Sequence, residues 1–324
     1  MVDPVRFGIL STARINRAVL EGARESDRVD VIAVASRVQA RAEAYAREHG
    51  IERAYGSYEA LLADDDLDAV YISLPNSLHV EWSIRALEAG LHVLCEKPLG
   101  RVASEVERAF DAADREGRFL SEAFMWRHSP QTARLRDVLG SGAIGTLRQI
   151  RAAFSFTLHD EQNVRLRSDV DGGALMDVGC YCVSGSRLLA GEPESVFGAQ
   201  LLGRTGVDVR FNGLLCFAEG VTAQFHCGFD VPPESRLEAI GSEGSVLVLD
   251  PWHARRPGFE LRRGDRTEWV DVERANSYRL ELENLSDAIR GQAELLLARG
   301  DAVAQARTIE ALYRSASSAR AENP

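Results

Sequence analysis

Two short stretches carry residue types suited to proton transfer. The first, HVLCEKPLG at residues 92–100, is an apolar run that ends in Glu96, Lys97 and Pro98. Charged side chains are rarely buried unless paired, so such an ending marks either a site or a braced turn. The second, GGALMDVGCYCV at residues 172–183, places Asp177 four residues before Tyr181. On a helix that spacing puts both on one face, one turn apart. A tyrosine can exchange the proton of a carbinol, but its ordinary pKa near 10 is too high for easy work at neutral pH. An adjacent ammonium such as Lys97 would stabilise the phenolate and lower that pKa. Asp177 would then orient a substrate hydroxyl or the lysine. A plainer reading competes, in which Tyr181 packs at a domain interface and Asp177 forms a surface ion pair.

These residues need elements to hold them. Residues 1–122 alternate short β-branched runs with helical patterns, beginning with VRFGIL, VDVIAVAS, AVYISL and LHVLC. Such alternation predicts a parallel sheet with crossover helices, a doubly wound α/β (Rossmann) dinucleotide-binding domain. Helices are expected over Arg14 to Glu25, Gln39 to His49, Leu78 to Ala89 and Ala103 to Glu116, with Ser57, Ser77 and Ser104 as candidate caps. From about residue 145 strand-like runs follow one another across Gly, Pro, Asp and Glu turns. One helix, Gly172 to Leu189, interrupts them and two more close the chain. Residues 123–324 therefore read as an α+β domain on a large, open, mainly antiparallel sheet, with the last helix able to pack back on the first domain.

A dinucleotide needs small residues where the first strand turns into its helix, so that phosphate can approach backbone N–H groups. Here the turn is GILSTARIN, with Ser11, Ala13 and Asn16 at the three fingerprint glycine positions. The cofactor contacts expected from it are Ser11, Thr12, Ala13, Arg14 and Ile15. The end of the second strand, Ala35-Ser36-Arg37, lacks the acid that would bind a ribose 2'-hydroxyl. Arg37 and Ser36 suit a 2'-phosphate, so NADP is favoured, with NAD as the alternative.

The whole chain bounds these expectations. At 324 residues two domains are expected, and 45% hydrophobic with 27% charged residues describes an ordinary globular protein. A formal net charge of -11 disfavours nucleic acid or an anionic membrane as partner. No long apolar run or signal-like N-terminus is present, and a cytoplasmic location is the expectation. Cys95, Cys180, Cys182, Cys216 and Cys227 lack metal-ligand spacing and read as reduced, mostly buried residues; no metal is expected.

Together GILSTARIN, LPNSLHVEWSIRALEAGLHVLCEKPL, FMWRHSPQ, NVRLRSDVDGGALMDVGCYCV and the closing helices resemble the glucose-fructose oxidoreductase/inositol dehydrogenase/MocA family. Within it the resemblance is to the branch of NADP-dependent D-xylose dehydrogenases and dimeric dihydrodiol dehydrogenases. It implies that Lys97 and Tyr181 are the catalytic pair, with Asp177 assisting, and that the Lys97-Pro98 bond is cis. It further implies cofactor contacts at Leu74, Pro75, Asn76, His79, Glu96 and Lys97, and substrate contacts at Trp126, Arg127, Asn163 and Arg165. His128 belongs to the same substrate-facing segment. The implied activity is hydride transfer between NADP(H) and a sugar or related polyol, by a homo-oligomer, dimer or tetramer, built through the open face of the second sheet. A catalytically silent NADP(H)- or sugar-binding regulatory protein of the same fold is the alternative. The chain departs from the family pattern in lacking all three fingerprint glycines and in carrying Arg167 and Asp171 before the GGALMDVG block.

Overall fold

A computed structural model describes residues 3–324. Its chain forms two compact units. The first unit runs to Gly100 and adds Ser104–His128 and Asn276–Val303; the second comprises Arg101–Ala103, Ser129–Ala275 and Ala304–Pro324.

In the first unit, β1 (Val5–Leu10), α1 (Asn16–Arg24), β2 (Val29–Ala35), α2 (Gln39–His49), β3 (Arg53–Tyr55), α3 (Tyr58–Leu62) and β4 (Ala69–Ile72) follow in order. They are continued by α4 (His79–Glu88), β5 (His92–Glu96), α5 (Ala103–Glu116) and β6 (Leu120–Ala123). The six strands pair in parallel in the order β3-β2-β1-β4-β5-β6. Strands β1 and β4 are buried along nearly their whole length, as both faces of a doubly wound sheet require. The short β3 was not anticipated, because three half-buried residues carry no readable period. Of the three expected serine caps only Ser57 acts as one, accepting from the Ala60 N–H at 3.1 Å. Ser77 lies inside a 3-10 turn, Asn76–Leu78, and Ser104 lies after the start of α5.

The second unit contains α6 (Pro130–Gly140), β7 (Leu147–Ser155), a π turn (Leu175–Gly179) and α7 (Cys180–Ala190). Then follow β8 (Ser195–Leu202), β9 (Asp208–Cys216), β10 (Thr222–Gly228), β11 (Glu234–Gly241), β12 (Gly244–Val248), β13 (Gly258–Arg263) and β14 (Arg266–Asp271). They form one eight-stranded sheet, β14-β13-β12-β11-β7-β10-β9-β8, antiparallel except for the parallel pair β7 and β10. Helix α7 packs on β7, β10 and β11.

Two helices close the chain, α8 (Ser277–Ile289) and α9 (Arg299–Ser318). By its pattern the sequence assigns residues 123–324 to the second domain, with the last helix able to pack back on the first. In the structure α8 joins the first unit, where Leu282 and Leu285 enter the core formed by Phe7, Ile9, Val19 and Tyr71. Gly22 of α1 allows this contact, since a Cβ there would come within 2.6 Å of the Arg279 backbone nitrogen. Only the first residues of α9 belong to the first unit.

Candidate active site

Register places the ends of four parallel strands side by side: Leu10 is opposite both Ala35 and Ile72, and Ile72 is opposite Cys95. Ligands of open α/β sheets bind beyond this edge. After β1 the chain turns at Ser11, whose φ of 116° is a backbone conformation usually left to glycine. A polar knot holds it there. Ser11 Oγ lies 2.8 Å from Ser73 Oγ and accepts the Ala13 N–H at 3.1 Å, while Ser73 Oγ donates to Asn16 Oδ1 at 2.6 Å. Asn16 Nδ2 donates back to the Ser11 carbonyl at 2.9 Å. Serine thus performs by side-chain bonding what the missing first glycine does by freedom, and buried Asn16 stands where the third would be. Among the described residues the N–H groups of Thr12, Arg14 and Ile15 find no acceptor. Small side chains, open N–H groups and the start of α1 suit a pyrophosphate. Ser36 is buried at the end of β2 and Arg37 is exposed beside it.

The EKP turn is braced from three elements. Glu96 Oε1 accepts the Tyr71 hydroxyl of β4 at 2.5 Å, and Glu122 Oε1 of β6 accepts the Leu99 N–H at 2.7 Å. His79, at the start of α4, lies 2.9 Å through Nδ1 from the Pro98 carbonyl and 2.8 Å through Nε2 from that of Leu74. The Lys97-Pro98 bond is cis. Burial, reinforced by the Lys97 charge, pushes the His79 imidazole below its ordinary pKa, against the pull of its two carbonyl neighbours. Neutral, it donates to one of them. His79 is therefore a brace between the Leu74 and Pro98 loops, at one of the positions where the resemblance implies a cofactor contact. Pro75 and Asn76 follow Leu74 at the half-exposed strand end.

Trp126 is 1% exposed and belongs to the core of the first unit. Arg127 forms an ion pair with Asp301 at 3.1 Å, its side chain 10% exposed, so it is engaged inside the same unit. His128 is half-buried, and desolvation together with the Arg127 charge lowers its pKa to about 3.

In the second unit Asp177 lies within the π turn, and Tyr181 is the second residue of α7, which follows. The four-residue spacing therefore does not give the simple helical face expected, because a π turn inserts an extra residue into the winding. Asp177 Oδ2 accepts Arg165 Nε at 2.6 Å, so the structure brings these two predicted residues together. Asn163 Oδ1 accepts the Arg165 N–H at 3.1 Å and caps the short turn that carries the arginine. Tyr181 is 8% exposed, with its ring edge-on to Phe154 at 5.4 Å and near Trp252 at 5.8 Å. These contacts hold the Tyr181 ring in place.

Tyr71, Ser73 and Glu122 were missed by sequence reasoning. Only Glu122 left a signal, a carboxylate inside the otherwise small and apolar strand LSEA. Cys95, Cys180, Cys182 and Cys227 are buried and Cys216 half-buried, all as free thiols. Among the described residues no helix is long and apolar enough to cross a membrane.

Residues 5–124 match the model of an oxidoreductase family with an NAD-binding Rossmann fold, and residues 132–247 match the GFO/IDH/MocA C-terminal domain. The chain belongs to the GFO/IDH/MocA oxidoreductase family. It is 40% identical over 317 residues to D-xylose 1-dehydrogenase (NADP(+)) 2 of Haloferax volcanii, covering 96% of this chain and 97% of that protein. Trans-1,2-dihydrobenzene-1,2-diol dehydrogenase of Bos taurus is 34% identical over 253 residues, 76% of this chain and 75% of the other. Among solved structures, a 3-ketoreductase from Actinomadura kijaniata in complex with NADP and TDP-benzene superposes with a TM-score of 0.91 at 33% identity. That match covers 96% of this chain and 98% of the ketoreductase. Membership makes the chain one of the family's dehydrogenases and reductases, with a nicotinamide dinucleotide as cofactor.

Proposed function

We propose that the protein is an NADP(H)-dependent oxidoreductase that moves hydride between nicotinamide and a carbinol or carbonyl carbon of a sugar or related polyol. The observation that carries the reading is the edge of the parallel sheet. There an acid-free strand end bearing Arg37 accompanies an open N–H turn and a Lys97 whose neighbours are tied to three elements. The D-xylose dehydrogenase and the ketoreductase, whose names give NADP and sugar chemistry, support the cofactor and the substrate class.

The nicotinamide, when bound, supplies the hydride acceptor or donor. The chain's own residues do the rest. Thr12, Arg14 and Ile15 offer N–H groups to the pyrophosphate, Ala13 keeps the turn small enough for its approach, and Ser36 with Arg37 holds the 2'-phosphate. In oxidation Tyr181, as phenolate, takes the hydroxyl proton while the carbinol carbon gives up its hydride; in reduction it returns that proton to the new alkoxide. Lys97 contributes the positive charge that favours the phenolate. Asp177, paired with Arg165, orients the sugar hydroxyls. A homo-oligomer built on the second sheet completes the proposal. Phe197, Leu201 and Leu214 are exposed large apolar residues of β8 and β9, and Phe197 and Leu214 line an open depression of about 580 Å³ with Arg151, His226, Glu234 and Arg236.

The test is to follow nicotinamide absorbance over a panel of aldoses, polyols and keto-sugars with NADP and NAD in parallel. Turnover of a sugar with NADP preferred is the expected result. Tight NADP binding with no turnover on the whole panel would favour the silent binding protein.

A further inference from the structure

The π turn that begins the Asp177 and Tyr181 segment must satisfy N–H groups at its start that have no acceptor within the turn. Leu175 N–H is satisfied by Asp208 Oδ2, from the first residue of β9, at 2.7 Å. The other oxygen of that carboxylate, Oδ1, accepts the Tyr313 hydroxyl of α9 at 2.8 Å. Arg101 closes the group, with its guanidinium 4.1 Å from the Tyr313 ring centroid and 3.8 Å from Asp171. Gly173, with φ of +132°, makes the approach feasible, since a Cβ there would meet Asp208 Oδ1 at 2.2 Å. The second glycine of the GGALMDVG block is thus explained by a carboxylate 35 residues downstream in sequence.

We propose that Asp208 is a positioning residue, whose ionised carboxylate anchors the start of the π turn and thereby orients Asp177 and Tyr181 for proton exchange. This rests on the reading of Tyr181 as acid/base. Asp208 is 2% exposed, and the groups facing it are Tyr313 from α9, the Cys227 thiol from β10 and the Arg101 guanidinium. Burial raises its pKa to about 6, although the Leu175 N–H, the Tyr313 hydroxyl and Arg101 pull the other way. Below that pH the carboxyl gains a proton, one oxygen turns from acceptor to donor, and the charge that holds the N–H is lost. Turnover then acquires an acid limb that belongs to neither Tyr181 nor Lys97.

Two variants and two readouts test it. In the wild type kcat should fall by about tenfold to a hundredfold across the limb, at no more than about tenfold per pH unit, and then level off. Asp208→Asn should abolish the limb and lower kcat on the alkaline plateau by about tenfold to a hundredfold, with the NADP dissociation constant unchanged. Tyr313→Phe keeps the carboxylate but removes a hydrogen bond to its ionised form, so the limb should move to higher pH; this variant carries the test should Asp208→Asn not fold. A limb that stays in place in both variants overturns the proposal. Amide hydrogen exchange at Leu175 needs no turnover and separates the two claims. Its protection, corrected for intrinsic exchange, should drop as the pH falls through the limb in the wild type, and should be reduced and pH-independent in Asp208→Asn. Equal protection in both proteins sinks the anchor even if the enzyme is active. Loss of protection in a protein that turns over no sugar would leave the anchor standing and reject the catalytic reading.

Discussion

Each neighbour of Lys97 is tied to a different element: Glu96 to Tyr71 on β4, Pro98 to His79 on α4 and Leu99 to Glu122 on β6. Glu96 therefore has a definite task, holding the turn to the next strand, a pairing no local pattern announces because its partner is 25 residues away. The braces pin the main chain on both sides of the lysine, so removing its side chain should leave the turn intact. Lys97→Ala and Tyr181→Phe are each expected to lower kcat by about a hundredfold to ten-thousandfold, the range of a positioned acid/base group, with little change in NADP affinity. Stopped-flow turnover beside fluorescence titration of NADPH separates the two quantities, and a variant with wild-type kcat would remove that residue from the mechanism. Arg37 is exposed and sits where no acid competes. Charge-assisted bonds to phosphate contribute about 1.5–3 kcal/mol, so Arg37→Ala should weaken NADP about tenfold to a hundredfold and leave NAD unaffected. Equal losses for both cofactors would contradict a 2'-phosphate contact.

Among the elements, helix α8 shows where sequence reading stops. Apart from the short β3, the strand and helix order of the first unit was legible because continuous β-branched runs and helical patterns alternate cleanly, and α2 was read to its last residue. That α8 packs on the parallel sheet was not legible, since an apolar helical face does not name its partner. The π turn was hidden for a similar reason: Asp177 and Tyr181 at i and i+4 look the same whether the winding is α or π. Packing α8 there buries a carboxyl. Glu281 is 2% exposed, its Oε1 has no partner among the described residues, and burial with the nearby Glu96 charge raises its pKa well above the ordinary range. The folded state therefore keeps a proton that the unfolded chain releases near pH 4.3. Its contribution to stability is complete below that pH and is lost as pH rises toward the folded pKa. Glu281→Gln retains the shape and removes the titration, so its stability relative to wild type should climb from mildly acidic to mildly alkaline pH. Urea unfolding of both proteins across that range measures it, and parallel pH curves would place the burial penalty elsewhere.

For the molecule as a whole, the open face of the eight-stranded sheet poses a solubility problem that a second copy would solve. An acidic chain with a net charge of -11 repels itself at long range, so association needs local complementarity. The face supplies it. Phe197, Leu201 and Leu214 are 42%, 50% and 42% exposed, and they share the face with both signs of charge. His226 pairs with Glu234 at 3.0 Å, while Arg236 and Arg151 flank Glu238 at 2.9 and 3.8 Å. A patch with both signs can meet its own copy across a two-fold axis, cation against carboxylate, with the apolar residues sealed at the centre. Sedimentation velocity on the wild type should accordingly give a mass that is a multiple of 35.6 kDa. Leu214→Asp with Phe197→Asp would bury four carboxylates in each two-fold contact, and such desolvated, unpaired charges cost several kcal/mol apiece, enough to drive the protein to monomers. NADP binding should survive in those monomers, because Arg37 and the Ser11 turn lie in the other unit. A wild type that sediments as a monomer would reject self-association; double-variant oligomers of unchanged mass would move the contact to another surface.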